Sequence, residues 1–221
     1  WADALRKAQP DGAIAARVAQ YAAAAAPRVQ RPVGTIGGNF ERTARTDGSA
    51  GRLIADAQWA ATRAAVRGGA VLALMNPGGV RTDLRCAGGP PPCTVNYGSV
   101  FSMQPFGNPL VVKTRHGARF KQLLEDQQRP GRASPTFLIP SSSFTYRWNA
   151  AAPYGQRVQD LRLNGQPLDL SKPVRFTVNS FLAEGGDGFA VLREGRERLG
   201  GELDIDALMA RTATRPIPAG R

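Results

Sequence analysis

The chain has 221 residues, of which 42% are hydrophobic and 21% are charged, and these are the proportions of a folded protein with a sizeable core. The length fits one large domain, or one domain with an appendage, and no apolar run approaches the roughly 18 residues that cross a bilayer. The formal net charge of +12 invites anionic partners. However, the arginines are scattered, with no basic run or basic helix, which argues against a nucleic-acid binder.

The first half of the chain predicts two helices and two strands. Ile14, Val18 and Tyr21 lie at i, i+4 and i+7, so residues 11–26 predict an amphipathic helix, which we expect Pro27 to end. The segment "RPVGTIGGNF" predicts a short strand and a glycine turn. Residues 51–67 predict a second helix. The apolar run "AVLALMN", residues 70–76, is typical of a strand buried on both faces.

The second half predicts a mixture of short elements without βαβ repetition, which indicates a mixed α+β structure. The segment "YGSVFSMQPFGNPLVVKTR" predicts a short helix or turn, a loop at "PFGN" and a strand. The predicted strands cover residues 110–114, 136–139, 144–148, 157–163 and 174–182, with a hairpin at "LNGQPL". The predicted helices cover residues 117–127 and 204–213, and the tail that follows is predicted to be irregular.

Two cysteines, Cys86 and Cys93, flank the turn-forming segment "AGGPPP". This spacing favours a local disulfide and an exported protein, and the alternative is a pair of free thiols. Without a CxxC motif or a nearby histidine they make a poor zinc site. The sequence begins at Trp1 rather than methionine, so we expect a processed or truncated piece. The missing signal peptide therefore says little about the compartment.

Catalytic groups are scarce. His116 is the only histidine and lies beside a predicted strand-to-helix turn, where a solvated or capping role is favoured over catalysis. The sequence has no Gly-x-Ser-x-Gly, no phosphate loop and no Rossmann glycine pattern. Asp204 and Asp206 are explained as helix caps. Taken by itself, the chain is a poor candidate enzyme.

Three loops carry side chains that suit a nucleotide. "NPGGVR" places Asn76 and Arg81 around two glycines, "PFGN" presents Phe106, and "VNSFLAEGGDGF" presents Phe181 and Asp187. Two aromatic rings can stack on a base, a carboxylate can accept hydrogen bonds from ribose, and a guanidinium can meet a phosphate. Each residue also has a plainer interpretation: the two rings as core, Asn76 as a turn cap, and Arg81 paired with Asp83 or Glu184.

The order of these motifs is more specific than any one of them. "NPGGVRTDL", then "YGSVFSMQPFGNPLVV", then "RVQDLRLNGQPLDLSKPVRFTVNSFLAEGGDGF" resembles the C-terminal, substrate-binding domain of the 5'-nucleotidase and UDP-sugar hydrolase family. "SAGRLIADAQ" and "SSSFTYRWN" fit the same pattern. The resemblance implies an α+β fold of the four-layer α/β/β/α type with mixed sheets. It also implies a linker helix at residues 1–27 and the domain itself at residues 28–221.

The resemblance assigns roles around the base and the sugar. Phe106 and Phe181 would stack on either side of the base, Asn108 would face it, and Asp187 would bind the ribose hydroxyls. Relatives have glycine where this sequence has Ser143, which we expect to add a side chain near the base pocket. Base preference is therefore left open.

For the phosphate end, the resemblance implies Arg81 and Asn76, with one more arginine before the "GRLIADA" helix. Arg42 and Arg45 compete for that role, and we favour Arg42 because "FERTA" follows a predicted strand end.

Catalysis in this family belongs to an N-terminal metallophosphatase domain that holds two divalent metal ions, and this chain lacks its motifs. The resemblance therefore implies part of a periplasmic or extracellular hydrolase, inactive in isolation, whose partners are a nucleotide and that N-terminal domain. No cofactor within this chain, no nucleic acid and no membrane span are expected. The alternative is a stand-alone nucleoside- or nucleotide-binding module without hydrolysis.

Overall fold

The computed structural model describes residues 11–43, 48–86, 89–214 and 217–218. The helices of this part are α1 (Gly12–Val29), α2 (Ser49–Thr62), α3 (Tyr97–Met103), α4 (Gly117–Glu125), α5 (Ser180–Ala183) and α6 (Asp204–Thr214). The strands are β1 (Pro32–Gly37), β2 (Leu72–Met75), β3 (Cys93–Asn96), β4 (Pro109–His116), β5 (Ile139–Pro140), β6 (Phe144–Trp148), β7 (Val158–Leu163), β8 (Gln166–Pro167), β9 (Pro173–Asn179), β10 (Arg196–Leu203) and β11 (Ile217–Pro218).

A five-stranded sheet in the order β10-β4-β9-β2-β5 forms the centre of the fold. Strand β2 runs parallel to β9, whereas the other neighbours in this sheet are antiparallel. All four residues of β2 are buried, as predicted for its continuous apolar run. Two three-stranded sheets, β11-β1-β3 and β6-β7-β8, complete the β structure. The predicted α+β class with mixed sheets is confirmed.

Two hydrophobic cores lie on opposite faces of the central sheet, since alternate residues of β2 enter different cores. Met75 enters the first core, where α2 packs against the central sheet and against α6, and α6 packs against β1. Leu74 enters the second core, which lies under α4 and the β6-β7-β8 sheet. There the Phe120 ring lies 5.5 Å from that of Phe144 and 5.3 Å from that of Phe176, measured between centroids.

Helix α1 lies outside both cores. It starts after Asp11, whose carboxylate accepts hydrogen bonds from the amides of Ala13 and Ile14. The prediction that Pro27 ends it is wrong, because the helix continues to Val29. A proline in the last turn removes only one N–H bond, and the amide of Gln30 closes the helix end. The assignment of this segment as an interdomain linker stays a prediction.

The boundaries of β9 and α2 differ from the sequence prediction. Strand β9 ends at Asn179 rather than at residue 182, because the Asn179 side chain accepts from the amide of Leu182 and starts α5. Helix α2 ends at Thr62, and a 3-10 turn, Ala65–Arg67, follows it.

Strands β3 and β10 were not predicted, and β11 lies in the tail that was predicted to be irregular. All eight residues of β10 are exposed, so the sequence carries no alternation of apolar and polar residues there. In the described part of the chain, no helix is both long and apolar enough to cross a membrane.

Cys86 and Cys93 form the predicted disulfide, with a Cα–Cα distance of 5.4 Å. The bond joins the segment after the "NPGGVR" loop to the start of β3 across a sequence separation of 7 residues.

Replacing both cysteines by serine is expected to lower the free energy of unfolding by about 2.5 kcal/mol, since a short closed loop constrains the unfolded chain. Urea unfolding measures this change. Reduced wild-type protein is the control and should match the variant. Equal stability of the oxidised protein, the reduced protein and the variant would contradict the prediction.

Candidate functional site

Three segments that carry the predicted binding residues meet at one edge of the central sheet. Strands β2 and β9 are parallel and end at this edge, and β4, antiparallel to β9, begins there. The register pairs Leu110 with Asn179, so the loop before β4 lies beside the segment after β9. The topology therefore places "NPGGVR", "PFGN" and "NSFLAEGGDGF" next to one another.

These segments enclose a pocket of about 170 Å³. It is lined by five of the seven predicted binding residues, together with two glycines and one further asparagine. The lining residues are Asn76, Gly78, Gly79, Phe106, Asn108, Asn179, Phe181 and Asp187.

The two aromatic rings of the pocket are not core residues. Phe106 is 55% exposed and Phe181 is 47% exposed, whereas most large apolar side chains of the fold are buried. Gly186 lies directly under the Phe181 ring, and a Cβ at this position would overlap it. The Arg81 guanidinium lies 5.8 Å from the centroid of the Phe106 ring. Each ring therefore has one supported face and a face open to the pocket or to solvent.

Asp187 sits in a tight 3-10 turn, Gly186–Gly188, with a left-handed backbone conformation (φ +52°). Its Oδ2 accepts a hydrogen bond of 2.9 Å from Asn76 Nδ2, and its backbone carbonyl accepts one from Arg132. Within the described residues its other carboxylate oxygen, Oδ1, makes no hydrogen bond. Asp187 is thus held in place with one acceptor atom unused.

Asn76 is buried beside Asp187 rather than serving as a turn cap. Its Nδ2 donates to Asp187 and its Oδ1 accepts from Asn179 Nδ2 at 2.9 Å. Sequence reasoning did not identify Asn179, because its burial and its bond to Asn76 depend on packing between distant segments.

Lys113 was also missed. It is 1% exposed, and its Nζ donates to the carbonyls of Ala183 and Leu192 at 2.9 and 2.6 Å. These bonds tie together the two ends of the segment that carries Asp187. Burial lowers the pKa of Lys113. No pattern in the sequence distinguishes this lysine, because its partners are backbone carbonyls far along the chain.

Asn108 connects the pocket to a buried carboxyl group. Its Nδ2 donates to Asp204 Oδ2 at 3.4 Å, and its Oδ1 accepts from Ser180 Oγ at the same distance. Asp204 also accepts from the amide of Ile205 at the start of α6, where the sequence placed it. Burial raises the pKa of Asp204 to about 6.

The two predicted arginines lie next to the pocket without lining it. Arg81 donates to the carbonyl of Gly78 at 3.3 Å, and it pairs with neither Asp83 nor Glu184, which bind Arg85 and Arg198 instead. The Arg42 Nε donates to the carbonyl of Val80 at 2.7 Å, and its backbone amide donates to Asp83. Its competitor, Arg45, falls outside the described residues.

Two other positions that the sequence singled out lie away from this pocket. Ser143 is buried, and its hydroxyl bonds to Ser141 and to the carbonyl of Val71, so the expected addition to the base pocket is not seen. His116 is exposed where β4 meets α4, and its side chain makes no capping hydrogen bond.

Among residues 11–43, 48–86, 89–214 and 217–218, no group of three or more His, Cys, Asp and Glu side chains is arranged to hold a metal. The pocket lining offers exposed ring faces, which can contact a flat apolar group, and a carboxylate oxygen, which can accept hydrogen bonds from hydroxyl groups.

Comparison with known proteins identifies the family of this chain. The profile of the family described as "5'-nucleotidase, C-terminal domain" matches residues 30–194. The endonuclease YhcR of Bacillus subtilis (strain 168) is 30% identical over 179 residues, covering 80% of this chain and 13% of that protein. Protein UshA of Escherichia coli (strain K12) is 29% identical over 159 residues, covering 71% of this chain and 25% of that protein.

Solved structures share the fold. The 5'-nucleotidase precursor of Thermus thermophilus superimposes with a TM-score of 0.75 and 26% identity, covering 96% of this chain and 44% of that one. The NAD nucleotidase of Haemophilus influenzae has a TM-score of 0.70 at 21% identity, a likeness of fold, and covers 96% of this chain and 40% of that one. The chain thus spans less than half the length of each of these four relatives. Since the family profile covers most of the sequence, this chain belongs to the 5'-nucleotidase C-terminal domain family.

Proposed function

We propose that this domain binds a nucleoside 5'-phosphate, with the base between Phe106 and Phe181 and the ribose on Asp187. The observation that carries the proposal is that two half-exposed rings and a carboxylate with an unused oxygen line the same pocket. Exposed apolar rings on a fold with well-filled cores are typical of a surface that contacts a ligand.

The base is the part of the ligand that suits the rings. A purine or pyrimidine offers two flat faces, and stacking on an aromatic side chain contributes about 1–3 kcal/mol per base. Gly186 supports this geometry because its missing Cβ leaves room for the Phe181 ring to lie flat against the turn. We assign Asn108, whose side chain bonds to Asp204 and Ser180, to the edge of the base.

We assign the ribose to Asp187 and the phosphate to the arginines. The free Oδ1 of Asp187 accepts hydrogen bonds from the vicinal hydroxyls. Asn76 belongs to the ribose side, since its side-chain amide hydrogen-bonds to Asp187 and Asn179. Arg81 and Arg42 are assigned to the phosphate. Arg42 supports this role because, in the described part of the chain, only its Nε among its guanidinium nitrogens is engaged.

We further propose that hydrolysis of the bound nucleotide belongs to a two-metal domain outside this chain. The proposal is supported by the length of the relatives, since this chain spans less than half of each one described above. The domain would then hold the substrate while groups elsewhere break the phosphate bond. The Cys86–Cys93 disulfide supports a periplasmic or extracellular location, since disulfides persist in oxidising compartments.

Calorimetry on this chain tests the proposal. AMP is expected to bind at a single site more tightly than ribose 5-phosphate, which lacks the base. Asp187→Asn is expected to weaken AMP binding roughly 10-fold, because the amide turns its oxygen to Asn76 and loses the charged acceptor for ribose. Asp160→Asn is the matched control, since Asp160 also has a positive φ but lies on β7, away from the pocket.

Two outcomes would contradict the proposal. One is the absence of AMP binding. The other is binding that strengthens with polynucleotide length and falls steeply with salt, which is the behaviour of a nucleic-acid binder.

A further inference from the structure

We infer that Asn179 is a positioning residue that makes the pocket selective for ribose, by fixing which atoms Asn76 and Asp187 present. This inference rests on the proposed function, because it concerns the sugar of the bound nucleotide. It starts from a chain of three hydrogen bonds, each 2.9 Å long, that runs from a backbone amide to the Asp187 carboxylate.

The donor and acceptor roles along these three hydrogen bonds are determined at both ends. The amide of Leu182 can only donate, so it takes Asn179 Oδ1 as its acceptor and turns Nδ2 toward Asn76. Asn76 must then offer Oδ1 to Asn179, which leaves its Nδ2 for the Asp187 carboxylate, a group that can only accept. Neither amide can rotate by 180° without setting two donors or two acceptors against each other.

Burial makes this arrangement costly to break. Asn179 is 1% exposed and Asn76 is 4% exposed, so water cannot substitute for a lost partner. The three hydrogen bonds from the Leu182 amide through Asn179 and Asn76 to Asp187, here called the relay, occupy Oδ2 of Asp187 and leave Oδ1 for the ligand. The Arg132 bond to the Asp187 carbonyl holds the backbone of the same turn. The carboxylate is therefore oriented before any ligand arrives, which is what selective recognition of ribose hydroxyls requires.

Two substitutions separate this role from the capping of α5. In Asn179→Asp, one oxygen still accepts from the amide of Leu182, so the cap is kept. The other oxygen now faces Asn76 and draws its Nδ2 away from Asp187, which leaves the Asn76 oxygen against the carboxylate. Asn179→Ser also keeps a capping oxygen but is too short to reach Asn76, so it interrupts the relay without reversing it.

The experiment compares AMP with 2',3'-dideoxy-AMP by calorimetry. Wild-type protein is expected to prefer AMP. Asn179→Asp is expected to reduce AMP affinity roughly 10-fold or more while leaving dideoxy-AMP affinity unchanged, and Asn179→Ser to have a smaller effect of the same kind. Asn96→Asp is the matched control: Asn96 caps α3 through the amide of Ser99, outside the pocket, and the variant should retain the wild-type preference.

The affinities of the wild-type protein and the Asn179 variants for the two nucleotides separate this inference from the proposed function. A loss of preference for AMP in the Asn179 variants supports the inference. An unchanged preference, or equal losses for both nucleotides, overturns it while the proposed function stands. If wild-type protein binds neither nucleotide, the proposed function fails, and the inference fails with it. Thermal unfolding of each variant shows that the folded protein is being compared.

Discussion

Replacing both Phe106 and Phe181 by alanine is expected to weaken AMP binding by about 2–6 kcal/mol, and each single replacement by about 1–3 kcal/mol. The rings are about half exposed in this structure, so their removal leaves no cavity in either core. The loss should therefore appear in binding rather than in stability. Calorimetric titration of the single and double variants measures it.

Phe101→Ala is the matched control for these variants. Phe101 is 44% exposed and stacks on Tyr97 at 5.8 Å, but it lies on α3 and does not line the pocket. Its replacement should leave AMP affinity unchanged. Ribose 5-phosphate provides a second control, because a ligand without a base should not distinguish wild-type protein from the phenylalanine variants. Unchanged AMP affinity in both single variants would exclude stacking by these rings.

The second large expected effect is a loss of stability as pH rises, caused by Asp204. Its folded-state pKa of about 6 lies above the ordinary value of 3.8, so the folded protein binds the proton more tightly than the unfolded chain does. This contribution is fully present below about pH 4 and is lost as pH rises through about 6, and it amounts to about 3 kcal/mol. Asp204→Asn removes it, because the amide does not titrate.

Urea unfolding at several pH values between about 4 and 7 measures this effect as the difference in unfolding free energy between wild type and Asp204→Asn. Titrations of groups whose pKa values the substitution leaves unchanged cancel in that difference. Asp206→Asn is the control, since Asp206 is an exposed carboxylate in the same turn of α6. A difference that stays constant over this range would contradict the assignment of the proton to Asp204.

Motifs in the sequence predicted that residues far apart in the chain share one site. Phe106, Phe181 and Asp187 each had a plainer interpretation alone, and only their order along the chain, read as a family resemblance, favoured a common site. The structure brings all three to one pocket. The antiparallel pairing of β4 and β9 explains why, since the loop before β4, which carries Phe106, and the segment after β9, which carries Phe181 and Asp187, lie at the same sheet edge.

The supporting residues were beyond the reach of sequence patterns. Asn179 and Lys113 act through partners about 70 to 100 positions away in the chain, such as Asn76 for the former and Ala183 for the latter. Hydrogen bonds of this kind leave no periodicity, because a backbone carbonyl or a single amide has no sequence signature. The exposed edge strand β10 escaped prediction for a related reason, since no buried face imposes alternation on it.

Sequence alone therefore predicted the family, the α+β class and the disulfide, and it named the side chains that we propose contact a ligand, because these predictions follow from local patterns and from motif order. The orientation of those groups came only from packing between distant segments. Asn179 orients the Asn76 side chain so that it holds Asp187 instead of facing the phosphate end. The burial of Asp204 determines whether Asn108 contacts a charged or a neutral carboxyl group. Hydrogen-bond direction and desolvation are properties of the surroundings of a side chain, and those surroundings exist only in the folded chain.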